Sequence, residues 1–153
     1  MVKALVLAAV AWPFVLGGAV VARAHDAAPA FVTTVYVVAA RVCHQRPERS
    51  FHSDGVKWPV CARCSGLYLG GAAGALVWLV MRRRPVPRPL VWLAVAAAPT
   101  ALTVVLEWTG LAGVGNAARA LAGIPLGAVI ALVIVNTAAD ESFSPRSSRS
   151  SRS

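Results

Sequence analysis

Three cysteines and two of the three histidines fall between residues 43 and 64, in the stretch CHQRPERSFHSDGVKWPVCARC, where the residue types could do chemistry. Cys61-Ala62-Arg63-Cys64 is a C-x-x-C, a spacing at which two thiolates grip one metal ion from a tight turn or close into a redox disulfide. Cys43 supplies a third sulfur, and one imidazole would complete the Cys3His set of closed structural zinc sites. That imidazole is His44 or His52. Neighbours such as Cys43 and His44 project in different directions from a regular backbone, so a shared ion needs a turn there. With His52 as the ligand, His44 becomes a group beside the metal with an acid-base role. An odd number of cysteines excludes a fully disulfide-paired single chain.

The surroundings favour ionised sulfur without choosing between metal and redox chemistry. A helix opening near Cys64 would aim its free N–H groups and positive dipole end at the C-x-x-C, and Arg63 adds a full charge. Arg41, Arg46, Arg49 and Arg63 around one site could hold a phosphate or a lipid head group, with Arg49 and Arg63 as the anion-binding candidates. They could equally balance the charge of three thiolates. Glu107 closes an apolar run at the level of the cysteine stretch, and an ionisable group at that depth is a functional candidate by default. Its plainer reading is a carboxylate paired with Arg119 or Arg63. The candidate catalytic groups are therefore His44, Glu107 and Cys43.

The elements that must position these groups are apolar. Hydrophobic residues make up 58% of the chain and charged residues 14%, which is too apolar for a water-soluble domain of 153 residues. The net charge of +9 sits between apolar runs and in the tail, where anionic lipid head groups explain it better than nucleic acid. Runs at 4–22, 64–81, 89–106 and 120–139 are long enough to cross a hydrocarbon core of ~30 Å. Residues 27–40 fall short and read as an interfacial or re-entrant helix that delivers Cys43 and His44 to the membrane surface. Ala22-Arg23-Ala24 offers an alternative in which the first run is a cleaved signal peptide. Gly66, Gly70 and Gly74 recur at intervals of four on one helical face, as do Gly123 and Gly127, which predicts close packing of helices.

The expected architecture is thus an all-α membrane protein. A single membrane domain, 1–139, carries four transmembrane helices, a short interfacial helix, and a Cys/His-rich loop at 41–64 between the first and second spans. Pro47, Gly55 and Pro59 keep that loop from forming a long helix. A Ser- and Arg-rich tail at 140–153 is expected to be disordered. The dense arginine loop at 82–88 reads as cytoplasmic, which puts both termini there and the cysteine stretch on the extracytoplasmic side. Arginine and alanine usage suggests a GC-rich bacterial genome, hence a multi-pass protein of a bacterial inner membrane. Its partners would be the lipid bilayer and, beyond it, an anionic lipid or another membrane protein.

Two blocks, CHQRPERSF at 43–51 and PVCARCSGLYLG at 59–70, resemble the signature of the membrane-protein family called domain of unknown function 2085. The resemblance implies a helical membrane architecture and a motif of Cys43, His44, Gln45, Pro47, Arg49, Ser50, Phe51, Pro59, Cys61, Arg63, Cys64, Gly66, Tyr68 and Gly70. It implies no activity, substrate or cofactor, and residues 52–58 follow none of its pattern. Three functions fit the residues. The first is a zinc-folded extracytoplasmic loop with a binding or accessory role. The second is a membrane thiol-disulfide oxidoreductase linked to quinone through the C-x-x-C. The third is an enzyme acting on lipid-linked phosphates, with His44 and Glu107 as its acid-base pair.

Overall fold

The computed structural model describes residues 2–81 and 86–143. Five helices and one hairpin follow in the order α1 (Val2–Ala24), α2 (Pro29–Ala40), a single 3-10 turn (Pro47–Arg49), β1 (Ser50–Ser53), β2 (Val56–Cys61), α3 (Ala62–Val80), α4 (Pro89–Trp108) and α5 (Asn116–Phe143). Four of them, α1, α3, α4 and α5, are long and apolar enough to cross a membrane, while α2 is short. The protein is an all-α membrane bundle to which a small sheet has been added. Arg82, Arg83, Arg84 and residues 144–153 of the tail, with the cytoplasmic turn and the disorder expected of them, lie outside the described residues. Helix α5 itself runs past Asp140 to Phe143.

The bundle is held by backbone contact between α3 and α5. A Cβ placed on Gly66, Gly70 or Gly74 would come within 1.8, 2.0 and 2.3 Å of the carbonyl oxygens of Ala120, Ile124 and Ala128. Gly127 answers from the other side, its Cβ position lying 2.0 Å from the Leu67 carbonyl oxygen. Lipid chains are as apolar as leucine, so helices in a bilayer gain from such close van der Waals approach rather than from burial. Helix α4 is the peripheral one, with Ala96 its single buried residue and Leu90, Val91, Trp92, Val95 and Leu102 exposed. Such a face would be a liability in water and is met here by hydrocarbon. Thr100 Oγ1 donates to the Ala122 carbonyl at 2.7 Å and ties α4 to α5.

At one end of the bundle the residues Leu16, Ala19, Val35, Ala39, Cys43 and Val60 form a buried cluster that joins α1, α2 and the hairpin. At the other, Val6, Ala75, Trp78, Val135 and Ala139 join α1, α3 and α5. There the Trp78 indole N–H donates to Asn136 Oδ1 at 3.0 Å, which satisfies both polar groups among apolar neighbours.

The cysteine stretch is not an open loop. Residues 50–61 form an antiparallel hairpin closed by Asp54-Gly55, both with positive φ (51° and 75°), the geometry that a two-residue turn between twisted strands requires. Pairing runs Ser53 to Val56 and His52 to Lys57, then slips so that Ser50 faces Cys61. The slip falls at Trp58, Pro59 and Val60, and Pro59 has no N–H to give the ladder, so the strand bulges there. The bulge brings Cys61 to the end of β2 and hands the chain directly into α3.

Candidate functional site

Three elements each deliver one sulfur. Cys43 follows the last turn of α2, where its N–H donates to the Ala39 carbonyl at 3.0 Å. Cys61 ends β2 and stands as the residue before the first turn of α3, and Cys64 lies within that turn. The three sulfurs all lie within 4.8 Å of one another. None is in a disulfide. Two sulfurs bound to one tetrahedral zinc at ~2.3 Å stand roughly 3.8 Å apart, so the cluster fits an ion with little movement. The backbone N–H of Cys61 donates to Cys43 Sγ at 3.1 Å. A hydrogen bond from the Cys64 thiol is the largest cause that lowers the Cys61 thiol to about 5, against the opposing effect of burial.

The histidines part company. His44 is exposed and outside the mutually close set, but it lines the same cavity as all three cysteines. His52 is exposed on β1, paired with Lys57, and does not border that cavity. The unusual backbone falls one residue beyond His44. Gln45 takes a left-handed conformation with φ 48°.

Gln45 is clasped on both sides. The Gln45 side-chain amide donates to the Tyr36 carbonyl at 2.8 Å, and Lys57 Nζ donates to the Gln45 carbonyl at 2.8 Å. The Tyr36 hydroxyl in turn donates to the Lys57 carbonyl. Burial raises the Tyr36 phenol, with Arg23 stacked over its ring opposing, so it remains a donor. Helix α2 and the hairpin are thereby locked together with Cys43 between them.

The cavity, about 480 Å³, opens between this unit and the end of α4 and is lined by Cys43, His44, Cys61, Cys64, Arg46, Arg49, Arg63 and Glu107. Glu107 is the hub of its far wall. Arg119 Nε is 2.7 Å from Oε1, Arg63 Nη2 3.5 Å from the same oxygen, and Arg49 Nη1 3.8 Å from Oε2. Arg63 also donates to Thr103 Oγ1 at 3.3 Å. Asn116 extends the network, accepting from Arg119 at 2.7 Å and donating to the Ser50 carbonyl at 3.0 Å. Thus Glu107 pairs with both Arg119 and Arg63, and α3, α4, α5 and the 3-10 turn meet on one carboxylate. Arg41, by contrast, is exposed and does not line the cavity.

The roles of Gln45, Lys57 and Asn116 escaped the sequence, because each acts through a backbone carbonyl that no motif displays. The hairpin was readable: Asp54-Gly55 between strand-forming residues is a strong short-range hairpin signal.

Comparison with known proteins agrees with this architecture. An uncharacterised protein of Methanocaldococcus jannaschii is 32% identical over 103 residues, which cover 66% of each chain. The chain therefore spans about two thirds of that relative's length. An uncharacterised protein of Methanothermobacter thermautotrophicus is 28% identical over 92 residues, 60% of this chain and 83% of the relative. No solved structure matches. Residues 43–133, which hold every element of the site from Cys43 to Arg119, match the family described as predicted membrane protein DUF2085, and the chain belongs to that family.

Proposed function

We propose that Cys43, Cys61 and Cys64 bind a zinc ion, with His44 as the fourth ligand, and that the ion fastens α2 and the hairpin to the mouth of the bundle in a protein with a binding or accessory role. The observation that carries this reading is the approach of three unpaired sulfurs to within 4.8 Å from three separate elements. Thiolate is a soft donor that suits zinc, and free energy of metal binding in such sites is largely free energy of folding. His44 borders the same cavity and directly follows Cys43, which supports it over His52. The hairpin face is extracytoplasmic in this reading, on the strength of the arginines at 82–88. An epitope inserted at the Asp54-Gly55 turn should be reached by antibody on intact cells.

Zinc analysis and native mass spectrometry of the detergent-purified protein test the site. One zinc per chain is expected, lost on replacing any one cysteine by Ser. A metal-free protein with an intact Cys61–Cys64 disulfide would reject it in favour of thiol-disulfide exchange, since the low Cys61 thiol serves either chemistry.

A further inference from the structure

The arginines of the cavity outnumber what its carboxylate needs. Glu107 is satisfied by Arg119, which sits at 2.7 Å and is mostly buried, whereas Arg49 stands off at 3.8 Å with 42% of its side chain exposed. Arg46 lines the same cavity, and its guanidinium has no ion-pair or hydrogen-bond partner among the described residues. The Nε of Arg63 is buried and has no hydrogen-bond partner among the described residues, the kind of donor that costs stability unless something accepts from it. Four arginines, one carboxylate and a three-thiolate zinc centre would leave a surplus of two positive charges. Reduced thiols without metal also leave a positive surplus. Apart from Gln45 the remaining lining of the cavity is apolar and exposed: Val42 just after α2, and Val104 and Trp108 at the end of α4, which faces hydrocarbon along its length.

We propose that this cavity binds the phosphate group of an anionic amphiphile, with Arg46, Arg49 and Arg63 on the phosphate oxygens and the apolar portion leaving past Val42, Val104 and Trp108 into the bilayer. A guanidinium fork matches phosphate geometry through paired N–H donors, and the poorly engaged Arg49 is free to turn from Glu107 to the ligand. Cys43, Cys61 and Cys64 line the same cavity, so a bound head group would share it with the sulfur cluster. The site does not depend on which chemistry the sulfurs perform, because the arginines project from the 3-10 turn, its approach and α3 with or without a metal.

The test uses detergent-purified full-length protein, titrated with phosphatidic acid, phosphatidylcholine and inorganic phosphate and followed by native mass spectrometry and tryptophan emission. Phosphatidic acid should bind and phosphatidylcholine should not. The double variant R46Q/R49Q should weaken phosphatidic acid binding by about tenfold or more, since each loses a charge-assisted contact. Its melting temperature should be unchanged, because neither side chain is closely paired. Inorganic phosphate should compete only at far higher concentration. Equal affinity for inorganic phosphate and phosphatidic acid would overturn the amphiphile as source. Equal affinity of the double variant and the unaltered protein, or equal binding of both lipids, would overturn the arginine site. Zinc content, measured on the same samples, reports separately on the metal reading.

Discussion

The Cys61 amide donates to the Cys43 sulfur at 3.1 Å across eighteen residues of chain, and this single bond joins the end of the hairpin to the end of α2. It also sets the two sulfurs side by side before any ion is considered. Cys43→Ser should therefore cost more than a ligand. Zinc should be lost, and trypsin should cut after Arg49 much faster than in the unaltered protein. His44→Ala should retain the fold and lower zinc affinity by roughly 10- to 100-fold or more, the loss known for a perturbed ligand shell. His52→Ala should leave affinity unchanged, and an equal loss at both histidines would count against His44.

Glu107 should matter to stability in proportion to distance. Glu107→Gln leaves Arg119 and Arg63 without a counter-charge in a site where the carboxylate side chain is only 11% exposed, and the expected cost is about 2–4 kcal/mol. Arg49→Gln, at 3.8 Å and well exposed, should cost less than about 0.5 kcal/mol. Thermal melts of both variants in one detergent decide the matter. Equal losses would mean that Arg49 is a structural partner and not a spare charge.

The glycine face offers a sharper contrast. Gly70→Ala puts a methyl 2.0 Å from the Ile124 carbonyl oxygen, so α3 and α5 must separate, at a cost of roughly 1–3 kcal/mol. Gly71→Ala meets only the Gly127 carbonyl oxygen at 3.9 Å and should be neutral. Indistinguishable melting of the two variants would dissolve the distinction between these adjacent glycines.

In the hairpin, Gly55→Ala forces a side chain onto φ 75° and should destabilise by about 1–2 kcal/mol, whereas Asp54→Asn keeps a residue that tolerates this region and should be neutral. Cleavage within residues 50–61 on limited proteolysis is the readout, since a Cβ on Gly55 meets nothing within 4 Å and the effect is confined to the backbone.

In chelator-treated, reduced protein, Cys61 should be alkylated at a rate that stays nearly level on acidification from neutral pH and falls only as pH approaches about 5. The thiolate is the nucleophile, and a sulfur that accepts the Cys64 hydrogen bond keeps its charge down to that point. A rate that has already collapsed at neutral pH would show that the hydrogen bond does not hold in solution.

What could be read beforehand was whatever repeats or clusters along the chain. Apolar runs announced four helices, the interval of four among Gly66, Gly70 and Gly74 announced a close interface, and Cys43 with the C-x-x-C announced a sulfur cluster. The strand pair went unread although Asp54-Gly55 signalled it, because Pro59 hides the alternation that marks a strand. Nothing in the local sequence could have shown that Gln45 would turn left-handed. That conformation is imposed by Tyr36 and Lys57, which reach it from nine and twelve residues away.

Because α3 and α5 meet through carbonyls rather than side chains, neither helix can complete its partner's surface alone, and α5 is the last element of the site to leave the ribosome. Arg119 and Asn116 ride on its first turn, so until it arrives Glu107 lacks its closest counter-charge and the Ser50 carbonyl lacks its donor. The sulfur-bearing unit is made early and the side chains that brace Glu107 and the hairpin late. Completion of the charged network beside the cavity is in this way coupled to the synthesis of α5, and a nascent chain still without it holds its cysteines together while Glu107 stands without Arg119.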